Sequence, residues 1–131
     1  RITDLNSGSG DGLVSSEMVV YAGALYFVGY DGSSGYELWS YDGSNVTRVA
    51  DLNPGSGHGL TYPSYFSVFD NELYFSGDDG SSGLELYKYD GVEITLVEDI
   101  NLTGNSNPSY LTVMNNRLFF SADDGSSGYK L

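Results

Sequence analysis

Short apolar runs separated by clusters of Gly, Asp, Asn and Ser fill the whole chain. Leu25–Gly29 is mostly apolar, as are Leu73–Gly77 and Leu118–Ala122, and each is followed by an Asp-Gly turn signal. Before them stand runs of partial alternation, Met18–Tyr21, Tyr65–Phe69 and Tyr110–Met114. After them come Tyr36–Tyr41 and Leu84–Tyr89, then Val46–Leu52 and Ile94–Ile100. Runs of this length with period near two predict strands, and no segment carries the 3.6-residue period of a helix. Asp-Gly pairs stand where the second and third strands end, and Asp70-Asn71 and Asn115-Asn116 follow the first. Those residue types tolerate positive φ and favour tight antiparallel reversals.

The pattern repeats. LYFVGYDGSSGYELWSYDG, starting at Leu25, returns at Leu73 as LYFSGDDGSSGLELYKYDG and begins again at Leu118 as LFFSADDGSSGYKL. The spacings are 48 and 45 residues, and 17 of 27 positions agree between 25–51 and 73–99. A period of this size is that of propeller blades. The expected fold is all-β, a propeller-like array of about three four-stranded antiparallel blades in a single repeat domain spanning 1–131. Residues 1–6 read as a lone fourth strand, because Arg1–Asn6 aligns with Arg48–Asn53. Residues 17–53 and 65–101 are full repeats, and 110–131 is an incomplete third whose last strand starts at Tyr129-Lys130-Leu131. The terminal blade is thus split between the two ends of the sequence. Three blades are fewer than a closed ring uses, and open edges invite pairing. Two chains making a six-bladed ring, head-to-tail addition by strand completion, and neighbouring repeats in a longer chain all satisfy this pattern.

Composition narrows the functions. The 131 residues carry 18 acidic and 5 basic side chains, a formal net charge of −13, which argues against a nucleic-acid partner. The absence of Cys excludes disulfides, thiol nucleophiles and Cys-based zinc sites. Aromatic content of 15% argues against disorder. The longest apolar stretch, Val19–Gly29, is too short to span a bilayer, and no signal-peptide pattern opens the sequence.

Glu37-Leu38-Trp39-Ser40-Tyr41-Asp42-Gly43-Ser44 resembles the Glu-Leu-Trp-x-x-Asp-Gly-Thr repeat of bacterial secreted and surface proteins. The second copy, Glu85–Val92, has Tyr87 for the Trp and Val92 for the Thr, and Lys130 stands at the Glu position of the third. The resemblance covers essentially the whole chain. It implies a propeller-like β fold and an extracellular or cell-surface setting, and it implies no particular catalysis.

The Asp-Gly-Ser-Ser-Gly loops at Asp31–Gly35, Asp79–Gly83 and Asp124–Gly128 are the most suggestive chemistry. Asp78, Asp79, Asp123 and Asp124 cluster carboxylates beside hydroxyls, a donor set that suits Ca²⁺. The competing reading is a hairpin turn in which Asp caps the backbone and Gly supplies positive φ. Asp4, Asp51 and Asp99 recur in the fourth strand, each before Leu or Ile and then Asn, and point to a structural role. Trp39 and Tyr87 share one strand position and suit packing between blades, or else a sugar-stacking platform. Tyr62, Tyr65 and Tyr110 are the candidates for exposed or interfacial tyrosines. His58 is alone, reads as a solvated loop residue, and has no Gly-x-Ser-x-Gly to serve. Asn45-Val46-Thr47 and Asn101-Leu102-Thr103 match the glycosylation acceptor pattern without being equivalent between repeats. The expected function is a non-catalytic extracellular structural module that self-associates into a surface layer, filament or adhesive matrix. The alternative is a lectin-like module that binds glycans, with calcium as its only candidate cofactor.

Overall fold

The computed structural model describes residues 4–7, 10–61 and 63–131. Among them there is no helix. The strands are β1 (Leu13–Tyr21), β2 (Ala24–Tyr30), β3 (Tyr36–Tyr41), β4 (Val46–Arg48), β5 (Ser67–Phe69), β6 (Glu72–Asp78), β7 (Leu84–Tyr89), β8 (Ile94–Glu98), β9 (Ser109–Met114), β10 (Arg117–Asp123) and β11 (Tyr129–Lys130). They form three antiparallel meanders in sequence order, β1-β2-β3-β4, β5-β6-β7-β8 and β9-β10-β11. The all-β expectation and the repeat order both hold.

Turn chemistry accounts for the reversals. Ala22-Gly23, Asp70-Asn71 and Asn115-Asn116 all have φ between 49° and 83°, the mirror-image two-residue turn that matches strand twist. At the longer β2–β3 turn, Asp31 Oδ1 accepts the N–H groups of Ser33 and Ser34, each at 2.9 Å. At the β3–β4 and β7–β8 turns, Asp42 and Asp90 each accept the N–H groups two and three residues on.

Equivalent strands keep equivalent registers: Leu25 pairs with Tyr41 and Gly29 with Glu37, as Leu73 pairs with Tyr89 and Gly77 with Glu85. The main core lies between the first two sheets. Tyr21, Tyr26, Val28 and Leu38 from one side meet Leu60, Leu73, Phe75 and Tyr87 from the other. Burying each such aliphatic or aromatic side chain contributes roughly 1.5–3 kcal/mol. Tyr89 closes the seam, its ring centroid 6.2 Å from Tyr21 and 5.8 Å from Tyr26, and the Tyr21 hydroxyl donates to the Asn71 carbonyl at 3.0 Å.

Several boundaries differ from the sequence expectation. The fourth strands end early, at Arg48 and Glu98, because the chain beyond them leaves the ladder to bond buried side chains. The opening strand of the second repeat begins at Ser67 rather than Tyr65, whose φ of 55° lies outside the extended region; its equivalent Tyr110, at φ 57°, is taken into β9 beside a break in register opposite Phe119–Ser121. The first begins earlier, at Leu13, through a bulge between Leu13 and Met18. Of the lone strand at 1–6, Arg1–Thr3 lie outside the described residues, and Asp4–Asn6 are not in a strand. Leu5 instead packs on the first sheet, where a Cβ on Gly29 would meet its Cδ1 at 2.8 Å.

Candidate functional site

The loop aspartates serve their own turns. Asp79 Oδ1 accepts Ser81 N, Ser82 N and the Ser81 hydroxyl, and Asp124 Oδ1 accepts Ser126 N, Ser127 N and the Ser126 hydroxyl. Asp78 and Asp123 each accept the N–H of the following glycine. Burial works against the charge on Asp79, yet these donors outweigh it and hold its carboxyl at about 2. Among the described residues no group of three His, Asp or Glu side chains gathers around a point that would hold a metal ion.

The carboxylates that organise the fold are others, and only their repetition marked them. Glu37 is buried, and its two oxygens accept Leu52 N and Gly59 N, both at 3.0 Å. One repeat later, buried Glu85 accepts Ile100 N at 3.0 Å, Ser106 N at 2.8 Å and the Ser106 hydroxyl at 2.6 Å. Each glutamate therefore grips the linker that carries the chain to the next sheet. Burial raises the Glu37 carboxyl to about 7 despite its two backbone donors. Lys130, at the same position of the third copy, is exposed and donates to the Ser127 carbonyl.

The linker asparagines form a second recurring contact. A Cβ on Gly32 would meet Asn6 Oδ1 at 3.2 Å, one on Gly80 would meet Asn53 Oδ1 at 2.7 Å, and one on Gly125 would meet Asn101 Oδ1 at 2.6 Å. The residue that approaches the next sheet's loop is thus the asparagine, rather than the aspartate two positions before it. Asp51 instead lies 3.6 Å from Arg48, which also reaches Asp31 at 3.6 Å. His58 is an exposed loop residue, as expected, and also stacks on Tyr36 at 4.0 Å and accepts the Tyr36 N–H at 2.9 Å. Asn105 does the same for Leu84 N at 2.9 Å.

The aromatic candidates separate. Tyr87 is buried in the core, stacked on Phe75 at 6.4 Å; burial and the nearby Asp79 carboxylate push its phenol well above the usual tyrosine range. Trp39 is half-buried against Gly29, with its indole N–H enclosed and without a partner. Tyr62 lies outside the described residues. Tyr65 and Tyr110 come together, ring centroids 5.5 Å apart, on the wall of a cavity of about 470 Å³.

The outer face of the first sheet is an open apolar groove of about 620 Å³, lined by Met18, Leu25, Phe27, Tyr41 and Val46. In the second sheet the same positions are Phe66, Leu73, Phe75, Tyr89 and Ile94, all packed into the core. Between the second and third sheets lies a groove of about 400 Å³ that includes Leu86, Leu118 and Phe120. No helix among the described residues is long and apolar enough to cross a membrane. Compared with family models, with curated proteins and with solved structures, the chain matches none.

Proposed function

We propose that this chain is a non-catalytic structural unit of a β-propeller-like array, and that it self-associates through the open face of its first sheet. The observation that carries the reading is positional. Met18 is 45% exposed, whereas its equivalent Phe66 packs against the core, so the first sheet presents a face made to be covered by a sheet of this same repeat. The occupant is the outer face of the third sheet of a second copy. There Met114 holds the place of Tyr21, and it is 54% exposed where Tyr21 is 3%.

The absence of a catalytic role is supported by how the recurring acids are engaged: Asp31, Asp79 and Asp124 cap turns, and Glu37 and Glu85 hold linkers. The resemblance to the Glu-Leu-Trp repeat proteins supports an extracellular or cell-surface layer, filament or adhesive matrix as the setting. The internal seam pairs Tyr21 and Tyr26 with Tyr89, so the intermolecular seam should pair Met114 and Phe119 with Tyr41. Because the chain has no cysteine, a variant carrying both Tyr41→Cys and Met114→Cys tests this directly with a short bismaleimide. A ladder of covalent dimers and higher species is expected, with each single variant giving at most dimers. Absence of any intermolecular product from the double variant would contradict the seam.

A further inference from the structure

We propose that the cavity between β5 and β9 binds a neutral saccharide, with Tyr65 and Tyr110 as its stacking walls. The cavity, about 470 Å³, also includes Tyr129, Ser76, Ser121 and Asn107, and among the described residues no charged side chain lines it. Flat aromatic faces edged by hydroxyls and an amide match a ligand with an apolar C–H face and a rim of hydroxyls.

Backbone strain converges on this cavity. Tyr65, Asn107 and Tyr110 have φ of 55°, 49° and 57°. The other non-glycine residues described with positive φ are Ala22, Asp70, Asn71, Asn115 and Asn116, and all of them turn two-residue hairpins. A left-handed tyrosine costs of order 1–3 kcal/mol; at 110 it accompanies the bulge of β9 opposite Phe119–Ser121, whereas at 65 neither a hairpin nor a ladder requires it. The backbone on both sides of Tyr65 is bonded to one side chain. Glu17 accepts Ser64 N through one oxygen and Phe66 N through the other, both at 2.8 Å, straddling Tyr65 and holding its ring toward Tyr110. Glu17 is therefore a positioning residue.

A buried polar group independently points to a ligand. Ser76 is 1% exposed, lines the cavity, and its hydroxyl has no hydrogen-bond partner. An unpaired buried hydroxyl is costly, and a sugar hydroxyl seated between the tyrosines would satisfy it.

Saturation-transfer difference NMR on the full chain tests this, using glucose, galactose, mannose, N-acetylglucosamine and their β-1,4-linked dimers as probes. The expected result is transfer to ring C–H protons of at least one probe. Tyr110→Ala, at an exposed side chain, should weaken that probe about tenfold. Ser76→Ala should also weaken binding while leaving the thermal midpoint unchanged or raised, since the hydroxyl it removes has no partner in the protein. Silence from every probe would overturn the proposal, as would equal transfer in Tyr110→Ala. Binding of a hexaproline peptide in place of every sugar would overturn it too, by making the cavity a peptide groove.

Discussion

The carboxylate of Glu37 accepts the Gly59 N–H at 3.0 Å, across 22 positions of sequence and from within the protein interior. Its other oxygen accepts Leu52 N, so one ionisable group holds the linker between the first two sheets at two points seven residues apart. A charge so placed is hydrogen-bonded but desolvated, and desolvation is the larger effect, which raises its pKa to about 7.

That shift sets a sign for pH dependence. With the folded value near 7 and the unfolded value near 4.5, the folded state binds the proton more tightly. The stability this provides is fully present below pH 4.5 and is lost as pH rises through 7, at up to about 1.4 kcal/mol per unit. Asp79 acts oppositely, its stabilisation being lost only as pH falls from the ordinary carboxylate range through about 2. Denaturant titrations of wild type and Glu37→Gln at pH 4.5 and 7.5 check the prediction. The decline between them should be smaller in the variant, and an equal decline would assign the pH dependence to other groups.

Gly35 and Gly128 end equivalent loops with φ of 78° and 72°, but they meet different surroundings. A Cβ on Gly35 would run into the Gly57 carbonyl, whereas one on Gly128 finds nothing within 4 Å. Gly35→Ala should therefore lower stability by about 3 kcal/mol or more, through strain and collision together. Gly128→Ala should cost about 1–2 kcal/mol, through strain alone. Equal losses by chemical denaturation would contradict the packed linker at Gly57.

Asp79→Ala removes the acceptor of two backbone N–H groups and should lower the thermal midpoint. The loss should be the same in millimolar calcium and in excess chelator. A calcium-dependent rise of the wild-type midpoint that disappears in the variant would make this loop a cation site.

The strands, hairpin turns and repeat were legible because each rests on local chemistry: period two, Asp-Gly, Asn-Asn. Tyr36–Tyr41 and Leu84–Tyr89 are strands over the same residues that their apolar pattern predicts. The ends of the fourth strands were not legible, because what removes Leu52 from the ladder is a glutamate 15 positions earlier. Glu37 and Glu85 read as polar members of an alternating strand, and only the register shows that they point inward. Tyr65 and Tyr110 were identifiable as candidates by position, but their meeting is a contact between β9 and the segment before β5, 45 residues apart, that no local pattern encodes. His58 is the exposed loop residue its context predicts, but its bond from the Tyr36 N–H was not legible, because that partner lies 22 residues away, just past a turn.

Whether the open face of the first sheet receives a second copy is read by sedimentation velocity across a hundredfold range of concentration. The wild-type chain should show a mass rising above 14.1 kDa with concentration, and Met18→Arg, which places a charge on that exposed face, should stay near 14.1 kDa throughout. A wild-type protein that sediments as a 14.1 kDa monomer at every concentration would contradict the claim.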